Sequence, residues 1–156
     1  MKTKKALIVT ALGLLACQAA NASDLFASSE RNLLVFGSYV DKDDSDLAPG
    51  VGLSYFLTRN LGIIASTYWE NTDGSFIDNV TGEAVYRVPL RALALAPYGL
   101  VGIGYSFETE ETFEHFGAGA EFRFSRNLGV FGDVRWQFND DTDDGPGIRF
   151  GIRLSL

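Results

Sequence analysis

Charged side chains sit two or four positions apart inside stretches that are otherwise apolar. Glu121 is followed by Arg123, Asp133 by Arg135, Arg87 by Arg91, and Arg149 by Arg153. On a β-strand such spacings put both members on one face, because successive side chains alternate between faces. Brought together inside a closed sheet, these six guanidinium and two carboxylate groups would form a packed ion network of charge-assisted hydrogen bonds. The residues between them are aliphatic or aromatic and face a different medium.

Other candidate chemistry is weaker. His115 is the only histidine, and no serine lies within five residues of it. A nucleophile activated by a base needs both groups within hydrogen-bond reach, so no catalytic residue is expected, and His115 reads as an inward rim residue paired with a carboxylate from a connection. Asp140-Asp141-Thr142-Asp143-Asp144-Gly145 begins like a calcium loop, but the twelfth position is Gly151 rather than glutamate and falls inside a strand. No dedicated metal site or cofactor is predicted. Weak binding of divalent cations by acidic connections is the most this composition allows.

The elements that position these groups show in the alternation. From Ile148 to Leu156, apolar Ile148, Phe150, Ile152, Leu154 and Leu156 alternate with Arg149, Gly151, Arg153 and Ser155. Sixteen of the twenty acids fall in four segments: Asp41–Asp46, Glu70–Glu83, Glu108–Glu114 and Asp140–Asp144. Between those segments lie stretches long enough for two strands, each broken by a short turn at Thr58-Arg59-Asn60, Ala96-Pro97 or Ser125-Arg126-Asn127. The pattern predicts an all-β fold of eight antiparallel strands near 32–40, 49–57, 61–70, 84–94, 98–107, 114–124, 128–138 and 147–156. Arg31-Asn32-Leu33, Arg59-Asn60-Leu61 and Arg126-Asn127-Leu128 each precede an odd-numbered strand, a weak repeat that supports this register.

The amino terminus reads as an export address. Lys2, Lys4 and Lys5 precede eleven apolar residues, Ala6 to Ala16, followed by Ala20-Asn21-Ala22. Residues 1–22 are expected to be a signal peptide and 23–156 a single barrel domain. Leu14-Leu15-Ala16-Cys17 offers a competing lipidation site, although Leu15 fits it poorly. Cleavage before Ser23 would remove the only cysteine and leave ten basic against twenty acidic residues, a net charge of −10. Such a balance argues against nucleic acid as a partner.

Aligned on the repeated leucine, Val35, Tyr39, Ile63, Ala65, Trp69, Val130, Val134, Trp136 and Phe138 fall on one face and every charged strand-interior residue on the other. An arginine facing lipid near the midplane costs about 2–4 kcal/mol, so lipid outside and charge inside is the favoured assignment. Tyr39, Trp69, Tyr86, Trp136 and Phe138 would then form an interfacial girdle at the acidic end. Alternation does not itself say which face is inside. The rival is a soluble, lipocalin-like barrel with the apolar face around a ligand.

The alternation from Ile148 to Leu156, the Tyr98–Tyr105 strand and the hairpin from Phe122-Arg123-Phe124 to Trp136-Gln137-Phe138 resemble the small outer-membrane β-barrels of the OmpA/OmpX type. The resemblance implies an eight-stranded transmembrane barrel in a bacterial outer membrane, with lipid and lipopolysaccharide around it. It also implies that Phe150, Ile152, Leu154 and Leu156 form the signal read by the barrel-assembly machinery. Barrels of this family usually end in phenylalanine, and here the last residue is Leu156. The expected function is a structural or surface-interaction role with a side-chain-filled lumen. A narrow channel or carrier is the alternative, and a lipid-modifying enzyme using His115 comes after it.

Overall fold

The computed structural model describes residues 25–40, 47–69, 77–107, 109–138 and 145–156. The predicted signal peptide, Cys17, Glu70 and most of the acidic connections, including Asp140–Asp144, lie outside the described residues. Eight strands follow in chain order: β1 Glu30–Val40, β2 Ala48–Phe56, β3 Leu61–Tyr68, β4 Asn79–Arg87, β5 Leu95–Ser106, β6 Glu111–Arg123, β7 Leu128–Phe138 and β8 Gly145–Ser155. Each pairs antiparallel with its neighbours, and β8 closes on β1. Closure leaves no sheet edge, so every strand backbone is paired on both sides.

The register fixes the shape. Stepping between paired residues from Glu30 through Phe56, Gly62, Val85, Leu100, Gly117, Arg135 and Gly147 returns to β1 at Val40, a stagger of ten residues. Eight strands with that stagger tilt by about 40° and enclose a lumen just wide enough for side chains. Strictly alternating burial runs along β2, β3 and β4. Outward residues are apolar and exposed: Val35, Ile63, Val101, Ile103, Val134 and Ile152 each expose 45–60% of their surface. Inward residues include five arginines, none more than 6% exposed. The lipocalin-like inversion is therefore overturned, since the apolar face is outside.

The largest differences from the sequence pattern lie between β4 and β6. Strand β4 ends at Arg87 rather than 94, because the chain reverses over 91–94; Pro89 does not interrupt the approach to β5, since Leu90 N–H still donates to the Leu95 carbonyl at 2.7 Å. The turn that follows is a single 3-10 turn, Arg91–Leu93, closed by Ala94 with φ of 52°. Arg91 is thus an exposed turn residue, which corrects its assignment to the lumen. Pro97 lies within β5 and accepts a hydrogen bond from Val88 N–H at 2.8 Å. At its other end β4 begins at Asn79, so Glu83 belongs to a strand and not to an acidic connection. Strand β6 begins at Glu111, leaving only a short turn after β5.

Tyr86 is the other correction. It faces outward with 58% of its surface exposed, but it pairs with Leu61, the first residue of β3, and so lies at the short-turn end. Tyr39, Trp136 and Phe138 lie at the acidic end, with Trp69 just past the end of β3. Phe138 stacks on Phe116 at a centroid distance of 5.5 Å.

Candidate functional site

The interior holds two layers of ion pairs, four residues apart along β8. One surrounds Arg149 and the other Arg153. With about 3.3 Å per residue and a tilt of about 40°, the layers stand about 10 Å apart along the barrel axis.

The layer nearer the acidic end is built on Glu83. Arg135 grips its carboxylate with both terminal nitrogens, at 2.7 and 3.0 Å, and turns Nε to Asp133 at 2.7 Å. Arg149 reaches Asp133 at 3.0 and 3.2 Å and Glu83 at 3.5 Å. The Tyr98 hydroxyl donates to Asp133 at 2.7 Å, and Thr81 donates to Glu83 at 3.3 Å. His115 points inward, 2% exposed, with Nε2 3.6 Å from Glu83. Room for it comes from Gly102, where a Cβ would stand 2.8 Å from His115 Nε2.

The second layer lies toward the short turns. Glu30 pairs with Arg87 at 2.8 Å and with Arg123. Glu121 pairs with Arg123 in the same way, with Arg153 at 3.3 Å and with Arg87 at 3.7 Å. Backbone carbonyls supply further acceptors: Arg59 and Ala27 for Arg87, at 2.8 and 3.2 Å, and Arg126 for Arg123 at 3.2 Å. Beneath this layer Leu25 and Phe26 are buried against Ala94 and Ala96. The Phe26 ring lies 5.1 Å from the Arg87 guanidinium and 5.6 Å from that of Arg123.

Aromatic rings fill the space between the layers. Phe131 lies 5.3 Å from the Arg149 guanidinium and 5.8 Å from that of Arg153. Phe56 packs under Arg87 at 3.5 Å, and Phe36 under Arg149 at 5.0 Å. These contacts are cation–π interactions in a desolvated setting. Glycines opposite the large groups make the fit possible. A Cβ on Gly129 would meet Arg123, on Gly151 Phe36, and on Gly119 Asp133, each closer than side chains pack.

The structure brings together seven of the eight charged residues predicted for the lumen, Arg87, Glu121, Arg123, Asp133, Arg135, Arg149 and Arg153, and leaves Arg91 outside. Sequence reasoning missed Glu30 and Glu83. Glu83 shares parity with Arg87, which was a usable signal, but its place among other acids hid it. Nothing in the pattern distinguished Glu30, two residues before an expected strand, or the buried pair Leu25 and Phe26. The outward row of Phe150, Ile152 and Leu154 on β8, with Leu156 just past its end, is exposed at 52, 46, 37 and 77%.

A closed eight-stranded barrel with an apolar exterior and a charged, filled interior defines a transmembrane β-barrel. The chain belongs to the outer membrane protein β-barrel domain family, whose model matches residues 7–154. It is an outer-membrane protein. The N-terminal β-barrel domain of Pseudomonas aeruginosa OprF is similar in fold, at 16% identity over 83% of this chain and 98% of that one, with a TM-score of 0.63. So is a de novo designed transmembrane β-barrel, at 23% identity over 83% and 97% with a TM-score of 0.60. Pseudomonas aeruginosa OprG shares 10% identity over 85% and 98%, with a TM-score of 0.58. No curated protein matches the chain. In this family the short turns face the periplasm and the long connections the exterior.

Proposed function

We propose that this protein works as a sealed membrane anchor whose interactions take place on its outer surface, and that neither transport nor catalysis is its task. The observation that carries this reading is the pair of ion layers that crosses the lumen. Two layers of buried ion pairs, with Phe36, Phe56 and Phe131 between them, occupy the described interior, and this filling supports a closed lumen. An eight-stranded barrel has room for little else. His115 supports the non-catalytic part, being enclosed in the lumen beside Glu83 and turned away from the acyl chains a lipid-modifying enzyme would have to reach.

Three partners belong to the same reading. The barrel-assembly machinery would engage the outward row ending at Leu156, and outer-membrane lipid would surround the wall. Lipopolysaccharide would meet the acidic connections, with weakly held divalent cations relieving the repulsion between carboxylates and lipid phosphates. Planar-bilayer recording on the refolded protein tests the closure. The expected record shows no sustained single-channel steps in molar potassium chloride. Steady ohmic conductance would replace the anchor reading with the channel.

A further inference from the structure

The outer face of the barrel is not uniform. On one level the paired residues Leu53, Ala65, Gly82 and Ile103 run across β2 to β5 as large, small, small, large. Ala65 and Gly82 form the floor of a trough between two aliphatic ridges, and a Cβ built on Gly82 meets nothing within 4 Å. The depression measures about 750 Å³ and extends down to Tyr55, Ile63 and Arg31. A second hollow of about 400 Å³ shares Leu53 and Ala65 and carries it upward past Val51 and Val80. The trough thus follows the wall in the direction an acyl chain would lie.

Its lower end is chemically distinct. Arg31 has the outward parity of Leu33 and Val35, is exposed, and pairs across β1 and β2 with Tyr55. Among the described residues it is the one charged side chain that a strand turns outward at the periplasmic end, and it has no ion-pair partner there. Leu156 N–H donates to its carbonyl at 2.9 Å, which pins the backbone beneath the guanidinium. An outward arginine is costly within the hydrocarbon but favourable at headgroup height, where its planar fork matches a phosphate. A cationic fork at the foot of an apolar trough is complementary to an amphiphile with a phosphate at one end and an aliphatic chain at the other.

We infer that the β1–β4 face is a seat for one glycerophospholipid of the inner leaflet, its phosphate on Arg31 and an acyl chain over Ala65 and Gly82. Lipopolysaccharide also carries phosphate, but it occupies the leaflet at the acidic end, away from Arg31. Surrounding lipid exchanges freely, whereas a lipid held at both ends resists removal.

Native mass spectrometry of the refolded barrel in detergent, with phosphatidylglycerol added at equimolar amount, reads this directly. The unaltered protein is expected to keep one phosphatidylglycerol through detergent stripping and to lose a diacylglycerol of the same chain length. Arg31→Gln should lower the retained fraction roughly tenfold, the scale of one lost charge-assisted fork. Gly82→Leu, which fills the trough from outside, should lower it comparably, and Arg91→Gln, on the same rim but away from the trough, should leave it unchanged. Each variant is first checked for the gel shift on boiling that marks a folded barrel. Equal retention of phospholipid and diacylglycerol by the unaltered protein would overturn the inference without recourse to any variant. So would unchanged retention in folded Arg31→Gln, or a dimer mass showing that a second copy covers the trough.

Discussion

The two charge layers solve the same problem in different ways. Around Glu83 and Asp133, two carboxylates face two arginines, every ion-pairing partner comes from a strand, and the charges balance. Around Glu30 and Glu121, two carboxylates face three arginines, and carbonyls of residues 27, 59 and 126 accept further hydrogen bonds from Arg87 and Arg123. Buried charge is tolerated only when paired and hydrogen-bonded. Mid-wall, strand backbones are committed to the ladder, so side chains must supply the acceptors. At the end of the wall the turns have spare carbonyls, and an excess of arginine can be held there.

The hub of the balanced layer should therefore be the most sensitive position. Glu83→Ala leaves Arg135 with Asp133 alone, takes one of the two carboxylates from Arg149 and strips His115 of its nearest anion. Removing one partner from a buried ion pair costs about 3–5 kcal/mol. A loss of that size in the urea midpoint of the barrel refolded in lipid vesicles is expected. A loss under about 1 kcal/mol would mean that water reaches this layer and that the contrast between the layers is false.

The layer near the turns should yield less. Glu30→Ala removes a carboxylate shared by Arg87 and Arg123, but both arginines keep Glu121 and at least one backbone carbonyl. About 1–2 kcal/mol is expected, the scale of one lost hydrogen-bonded charge with its neighbours retained. The same vesicle titration measures it. If Glu30→Ala proved as damaging as Glu83→Ala, the carbonyls would not be sharing the load, and the comparison would have to be redrawn around net charge instead.

Much of this arrangement could be read in the residues, and the failures are instructive. Alternation identified the strands, and the parity of Glu121, Arg123, Asp133, Arg135, Arg149 and Arg153 put the right groups on one face, because a period of two leaves no freedom once lipid claims the other face. Strand β7 has the limits the pattern predicts, 128–138. The region from 79 to 98 departs from the pattern for one reason: Ala96-Pro97 looks like the turn, whereas the chain reverses over 91–94 and Pro97 sits inside β5. That shift carried Arg91 into the lumen, moved Tyr86 to the wrong height and left Glu83 among the loop acids. The sorting of the charges into two layers could not be foreseen, because it depends on the ten-residue stagger, and a stagger is a property of closure rather than of any one strand.

The smallest expected effect is the one that sharpens this point. Arg87 and Arg91 have the same parity and would be equivalent if β4 continued to 94. Instead Arg87 is fully buried, bonded to Glu30, Arg59 and Ala27, and lies 3.5 Å over Phe56, whereas Arg91 is exposed in a turn. Arg91→Ala should change the stability of the refolded barrel by no more than about 0.5 kcal/mol, as exposed substitutions away from special geometry do. It should also leave the gel shift on boiling intact. A loss of several kcal/mol at Arg91 would place its guanidinium in the lumen after all, and with it a longer β4 and a different register against β5.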